Sequence, residues 1–143
     1  HKVGSPESVE AYARSLIRAL QCDADLYSLP AYLTDLQRRQ LAIARALVLD
    51  PGLLFLDAPF DGLEFSCREP LRTYLGKWPW FAGRALVVAT EDLRFVREHA
   101  NMIVFVSAGS VETFHNWHDF AGSDAADVAR FVAERKKLLA VFD

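Results

Sequence analysis

The sequence predicts an α/β domain with a parallel sheet, because short apolar runs alternate with segments of helical periodicity. Three runs of strand length lie at residues 53–56, 84–89 and 102–106. Segments with apolar residues three and four positions apart precede, separate and follow these runs. Strands that alternate with helices favour a parallel sheet. Continuous apolar runs favour covered strands, so we expect the first strand to be buried on both faces and the second to be buried as well.

Composition places the chain among folded domains of ordinary charge. Of its 143 residues, 52% are hydrophobic and 24% are charged, which excludes a disordered or collagen-like chain. The formal net charge of −3 speaks against a nucleic-acid partner, since domains built to hold nucleic acid are usually basic. Two cysteines are too few for a disulfide framework, and their spacing is no metal motif. No apolar run approaches the roughly 20 residues of a membrane-spanning helix.

Two helices are predicted in the first third of the chain, over residues 5–20 and 34–49. Each begins with residues that suit a helix N-terminus: Ser5, followed by a proline, and then Thr34 or Asp35. A Pro-Gly pair ends the second helix just before the first strand.

Three further helices are predicted, at residues 65–75, 92–99 and 124–139. Pro70 is an awkward member of the first of these and could mark its true start, because a proline inside a helix lacks the backbone donor. A glycine-containing turn at residues 108–109 is expected to return the third strand as a hairpin.

One stretch carries a specific pattern. Residues 33–47 read LTDLQRRQLAIARAL, and residues 50–64 read DPGLLFLDAPFDGLE. This stretch closely resembles the nucleotide-binding domain of ATP-binding cassette (ABC) transporters, whose signature loop and helix, Walker B strand and D-loop occur in that order and spacing. Residues 85–93 resemble the strand and switch of the same family, and residues 103–112 resemble its last core strand and hairpin. The resemblance covers roughly residues 5–120.

The resemblance implies roles for residues at and after the Walker B strand. In this family the aspartate that ends the strand helps to hold Mg²⁺, and here that residue is Asp57. The next residue is normally a glutamate that polarises the attacking water. Here it is Ala58, whose methyl group can neither orient nor deprotonate water. Asp61 and Glu64 match the D-loop, although a solvated turn explains them equally well.

The motifs that face phosphate are altered as well. The signature loop normally presents a serine and two glycines to the γ-phosphate of a partner's ATP, since glycine lets the backbone approach closely. In this loop the chain has Thr34, Asp35, Leu36 and Gln37. Glu91 replaces the switch histidine and adds negative charge, although it and its neighbour could simply cap the next helix. The resemblance therefore implies a catalytically degenerate cassette.

A P-loop of the form Gly-x-x-x-x-Gly-Lys-Ser/Thr does not occur in the 143 residues. We therefore expect the C-terminal half of a cassette, with a partial P-loop ATPase-type parallel sheet, flanking helices and the P-loop strand missing. In the family's sheet order that strand lies between the strands at 85–89 and 102–106. Unpaired buried backbone groups cost about 1–3 kcal/mol each. We therefore expect the two strands to close on one another, or another polypeptide to fill the gap.

The whole chain, residues 1–143, is predicted to form a single domain. Residues 1–50 would contribute part of the helical subdomain and the signature helix. Residues 51–120 would contribute the core strands, and residues 121–143 the C-terminal helix.

The resemblance implies an ATP-binding subunit or domain of an ABC-type transporter, catalytically impaired. ATP and Mg²⁺ are the cofactors of the full-length family, and we expect the isolated chain to be inactive. The implied partners are the N-terminal half of its own cassette or a second cassette, a membrane-embedded transporter subunit, and a second copy of the chain. The implied location is cytoplasmic, at the inner face of the plasma membrane.

Other functions stay open at this point. A non-enzymatic interaction or regulatory domain, derived from a cassette, explains the same substitutions. A receiver domain also has strands that end like those at Asp57 and Thr90, but the chain lacks the paired acidic residues and the lysine that a receiver needs. His115, His118 and Asp119 lie close enough in sequence to suggest a metal site, but the family has an ordinary surface loop there.

Overall fold

A computed structural model describes residues 5–78 and 83–139 of the chain. The helices and strands, in chain order, are α1 (Pro6–Ala19), α2 (Asp35–Val48), β1 (Leu53–Asp57), α3 (Phe65–Lys77), β2 (Ala85–Ala89), α4 (Leu93–His99), β3 (Ile103–Ser107), β4 (Ser110–Phe114), α5 (Trp117–Ala121) and α6 (Ala126–Leu139). The chain divides into two compact units, with Thr90 at the end of the first and Glu91 at the start of the second.

The first unit combines a helical pair with a parallel pair of strands. Ser5 caps α1 and Thr34 caps α2, as the sequence predicts. The two helices pack together, and the side-chain amide of Gln40 in α2 donates to the Leu20 carbonyl oxygen at 2.7 Å. Strands β1 and β2 run parallel in the register that pairs Leu53 with Ala85. The predicted parallel arrangement of these two strands is therefore confirmed.

The second unit is built on an antiparallel hairpin. Strands β3 and β4 pair from Ile103 opposite Phe114 down to Ser107 opposite Ser110. The two turn residues both have positive φ, +46° at Ala108 and +83° at Gly109. This is the backbone twist that two-residue hairpins favour, and glycine adopts it without steric cost. Buried side chains from the hairpin and from α4, α5 and α6 form the core of this unit, namely Leu93, Ile103, Phe120, Val128 and Val132.

The expectation that the first two strands are buried is wrong. Leu54 is 6% exposed, but its neighbours Leu53 and Phe55 are 49% and 68% exposed. In β2, Val87 is 46% exposed. Side chains alternate between the two faces of a strand, and in the described residues only one face of this two-stranded sheet is covered. The apolar run therefore predicts the strand correctly, but it does not predict which elements cover the strand.

Helix α3 runs through the proline instead of starting at it. It begins at Phe65 and ends at Lys77, with Pro70 in its interior. The interpretation of Pro70 as the true start is wrong, because one missing helical hydrogen bond is tolerated beside well-buried side chains. Leu71 and Leu75 of the same helix are fully buried and hold it in place.

The two candidate fillings of the gap in the sheet have different outcomes. The described strands form two separate two-stranded sheets, β1 with β2 and β3 with β4. Closure of β2 onto β3 is therefore not observed among them, and filling by another polypeptide stays a prediction. In the same part of the chain, no helix has the length and apolarity needed to cross a membrane.

Candidate functional site

The end of β1 carries the residue that matches the Walker B aspartate. Asp57 is the last residue of the strand and lies opposite Ala89 of β2. It is exposed, and its carboxylate makes no hydrogen bond or ion pair within residues 5–78 and 83–139. The carboxyl end of a parallel strand is where open α/β sheets bind their ligands. The location fits the predicted role, and the carboxylate is available.

Ala58 turns the chain away from the strand. Its φ of +45° lies in the left-handed region, which residues with a Cβ rarely adopt. Its N–H donates to the carbonyl oxygen of Ala89 at 2.9 Å. Its own carbonyl oxygen accepts from the guanidinium of Arg39 and, at 3.2 Å, from the N–H of Asp61. The N–H and the carbonyl oxygen of Ala58 are thus both hydrogen-bonded, but the side chain of this residue is only a methyl group.

The D-loop positions follow as a tight turn into α3. Gly62 takes a φ of +72°, and the carbonyl oxygen of the buried Leu63 accepts from the Arg68 side chain at 2.9 Å. Asp61 and Glu64 are both exposed, and Glu64 occupies the N-cap of α3 without a side-chain capping bond. Exposed carboxylates in this turn fit the D-loop and the solvated-turn interpretations alike.

At the start of α2, which matches the signature loop, backbone N–H groups are hydrogen-bonded to side chains of the same chain. The Gln37 N–H donates to the Thr34 hydroxyl oxygen at 3.2 Å, and the Thr34 N–H donates to the Gln37 side-chain oxygen at 2.9 Å. The Gln37 amide nitrogen also donates to Asp23 at 2.9 Å. Asp35 forms an ion pair with Arg38. The N–H groups of Thr34 and Gln37 therefore have internal partners, and the Asp35 carboxylate adds negative charge where a phosphate would have to lie.

Three carboxylates predicted to lie near a nucleotide share one surface. Asp35, Asp57 and Asp61 line an open groove of about 720 Å³ between α2 and the end of β1, together with Arg38 and Arg39. They do not converge on one point: within the described residues there is no group of acidic, histidine or cysteine side chains that could hold a metal ion by itself.

The switch position lies in the second unit and is also paired internally. Glu91 forms an ion pair with Arg135 of α6. Its neighbour Asp92 caps α4, because the Phe95 N–H donates to its carboxylate at 3.0 Å. The capping interpretation is therefore confirmed for Asp92, whereas Glu91 pairs with a helix from the end of the chain.

The histidines near the hairpin do not form a metal site in the described structure. His118 is almost fully exposed, and its ring nitrogen lies 3.7 Å from the Asp119 carboxylate. The Asp119 N–H donates to Asn116 at 2.8 Å, and Asn116 is the N-cap of the short helix α5. Asn116 and Asp119 therefore serve the start of a helix, which matches the surface-loop alternative.

Sequence reasoning missed the contacts of two arginines, Arg39 in the first unit and Arg135 in the second. Arg39 and Arg135 reach partners 19 and 44 residues away, so no local pattern identifies them. The side-chain capping of α2 did have a local signal, because Thr34-x-x-Gln37 is the spacing of a capping box.

Comparison with known proteins adds to this geometry. No family model matches the chain. The sulfate/thiosulfate import ATP-binding protein CysA of Bradyrhizobium diazoefficiens is 32% identical over 133 residues, which cover 91% of this chain and 38% of that protein. The CysA of Pseudomonas aeruginosa is 31% identical over 134 residues, covering 92% of this chain and 40% of that protein. The chain belongs to the ATP-binding cassettes of ABC transporters.

Solved structures agree on the fold. The dimeric cassette MJ0796, bound to ADP and Pi, matches 80% of this chain and 50% of its own with a TM-score of 0.70 and 24% identity. The cassette MJ1267 matches 92% of this chain and 52% of its own with a TM-score of 0.71 and 13% identity. The chain thus spans about half of each solved cassette and about two-fifths of the curated relatives.

Proposed function

We propose that the chain is the C-terminal half of a hydrolysis-deficient cassette, acting within an ATP-binding subunit of an ABC-type transporter. The observation that carries the proposal is Ala58. It lies directly after Asp57, where a water-polarising group would have to stand, and it presents only a methyl group. The turn is otherwise well formed, with its carbonyl oxygen bound by Arg39. The chain thus keeps the Walker B backbone and loses the general base.

Of the two cofactors of the family, Mg²⁺ fits the residues of this chain better than the phosphates of ATP do. The free, exposed carboxylate of Asp57 suits one ligand of Mg²⁺, which keeps several waters and takes other oxygens from phosphates. The start of α2 does not suit a phosphate, because Thr34, Asp35 and Gln37 already occupy it with hydrogen bonds and negative charge. We therefore propose that Asp57 is a ligand of Mg²⁺ in a complete cassette and that no nucleotide binds at the signature position.

Partners and location follow from the same proposal. An ATP-binding subunit of a transporter would pair with a second cassette and with a membrane-embedded subunit, at the cytoplasmic face of the membrane. In such a pair this chain would impair both sites. The site beside its own Asp57 lacks the base at Ala58, and the partner's ATP would lack phosphate contacts from the start of α2.

The test is a chimera in which this chain replaces the matching half of the MJ0796 cassette, which is 26% identical to it in one solved structure. We expect the chimera to bind Mg-ATP and to hydrolyse it at least about 100-fold more slowly than MJ0796, the scale of a lost general base. Ala58→Glu is expected to recover part of that rate.

Two controls make this result interpretable. Circular dichroism checks that the chimera is folded, and Ala58→Gln supplies a side chain of similar size that cannot take a proton. Hydrolysis at the MJ0796 rate with Ala58 in place would contradict the proposal. A rescue by Ala58→Gln equal to that by Ala58→Glu would contradict the missing-base explanation.

A non-enzymatic interaction domain is the second candidate, and a specific observation favours it. The signature position and the switch position have each gained an internal partner, through Thr34–Gln37 and Glu91–Arg135. A protein that no longer binds nucleotide gains stability from such contacts. Failure of the folded chimera to bind Mg-ATP would favour this candidate.

A further inference from the structure

Ala58 has a strained backbone conformation that its place in the chain does not explain. Its φ of +45° lies in the left-handed region, which is unfavourable for a residue with a Cβ atom. Among the described residues, the other non-glycine residues with such a φ follow the ends of α1 and α2 or lie in the turn between β3 and β4, namely Gln21, Asp50 and Ala108. Left-handed residues are common at both kinds of place. Ala58 instead follows a strand, so its conformation needs contacts that hold it.

Arg39 supplies the contact that reaches this turn from another element. Its guanidinium donates to the Ala58 carbonyl oxygen, and a hydrogen bond from a charged donor is roughly twice as strong as one between neutral groups. The same oxygen accepts from the Asp61 N–H at 3.2 Å, but Asp61 belongs to the same turn and would move with it. The Ala58 N–H donates to the Ala89 carbonyl oxygen, a ladder bond of the kind that extended residues also make.

The helix that carries Arg39 is fixed, and so is the chain after Ala58. Helix α2 packs against α1, and the buried Gln40 beside Arg39 donates to the Leu20 carbonyl oxygen at 2.7 Å. Phe60, two residues after Ala58, is 1% exposed, and the guanidinium carbon of the buried Arg72 lies 5.9 Å from the centre of its ring. Ala58 therefore lies between two anchored parts of the first unit, and Arg39 connects it to one of them.

We propose that Arg39 is a positioning residue, which holds residue 58 in the left-handed conformation and thereby sets the direction of the side chain at that position. The direction matters because residue 58 directly follows Asp57, where a water-polarising group would stand. This inference rests on the proposed function, since it takes position 58 to be the place of the missing base. The chain then keeps the contact that aims a base, although Ala58 no longer provides one.

Urea unfolding of the 143-residue chain tests the proposal without any nucleotide. Ala58→Gly should raise the urea midpoint by roughly 0.5 M while Arg39 is present, because glycine adopts a positive φ without strain. Arg39→Met keeps most of the apolar stem but removes the donor, so the turn can relax. In that variant Ala58→Gly should therefore bring no gain. Arg39→Lys keeps a charged donor and should retain part of the gain.

Arg38→Met is the matched control. Arg38 lines the same groove and loses the same charge, but its partners are Asp35 and the Leu33 carbonyl oxygen. In the Arg38→Met variant, Ala58→Gly should raise the midpoint as much as it does in the unsubstituted chain. An equal gain with Arg39 and with Arg39→Met would overturn the proposal, as would the absence of any gain in the unsubstituted chain.

The MJ0796 chimera gives a second readout in a complete cassette, and it also applies if Arg39→Met prevents the isolated chain from folding. With Ala58→Glu in place, Arg39→Met should lower the single-turnover rate about 10-fold or more. The Kd for Mg-ATP should not change, because a misplaced base affects the reaction and not the binding. Arg39→Lys should recover part of the rate, whereas a rate that Arg39→Met leaves unchanged would overturn the proposal. If Ala58→Glu itself restores no rate, the proposed function fails, and the urea comparison still decides the role of Arg39.

Discussion

Restoring the glycines of the signature loop should destabilise the protein, and the size of the loss follows from the contacts of α2. In the double variant Asp35→Gly/Leu36→Gly, the first substitution removes a carboxylate beside the helix N-terminus and the exposed pair with Arg38. Those terms, with the lower helix propensity of glycine, come to about 1 kcal/mol. The second places glycine where a half-buried leucine stood, which costs about 2 kcal/mol. The expected total is about 3 kcal/mol.

Urea unfolding followed by circular dichroism measures this loss directly. The midpoint should fall at an unchanged m value, because the native surface is otherwise the same. Thr34→Ser is the matched control: it keeps the hydroxyl that accepts from Gln37, so its free energy of unfolding should change by less than about 0.5 kcal/mol. A fall in the free energy of unfolding of less than about 1 kcal/mol in the double variant, against the expected total of about 3 kcal/mol, would contradict this explanation. It would show that Asp35 and Leu36 do not stabilise the start of α2.

Three further predictions concern single side chains. Pro70→Ala should raise the free energy of unfolding by at least about 1 kcal/mol, measured in urea, because it restores a helical hydrogen bond in α3; a loss would show that the proline packs usefully. Burial raises the pKa of Tyr74, so the unfolded chain loses its phenolic proton first and stability should fall as the pH rises above about 10. Tyr74→Phe should flatten that fall in urea midpoints, and an unchanged fall would contradict the explanation by burial. A double-mutant cycle on Glu91→Gln and Arg135→Ala should give a coupling of under about 1 kcal/mol, as for other exposed pairs; a larger value would mean that the pair is better shielded from solvent than its exposure indicates.

Local patterns predicted the elements well. Ser5, Thr34 and the apolar spacing place α1 and α2, and the run at residues 53–56 places β1. Each of these depends on neighbours within a few positions, which a sequence displays directly. The family followed from a longer run of matched residues, and the comparisons confirm it.

Non-local facts were beyond the sequence. The exposure of Phe55 depends on which elements cover the sheet, and an apolar run cannot reveal that. Arg39 reaches the Ala58 carbonyl across 19 residues, and Arg135 reaches Glu91 across 44. The roles of Asp57, Asp61 and Glu64 stay predictions, because their exposed carboxylates fit a ligand site and a solvated turn equally.

The most direct test of the account is the rate of a single turnover of ATP in the MJ0796 chimera, with and without Ala58→Glu. ATP is expected to bind in both proteins. Phosphate release is expected to be at least about 10-fold faster with the glutamate, which is part of the 100-fold or more that a positioned base contributes. Equal rates in the two folded, ATP-bound chimeras would contradict the claim that Ala58 is what silences this cassette.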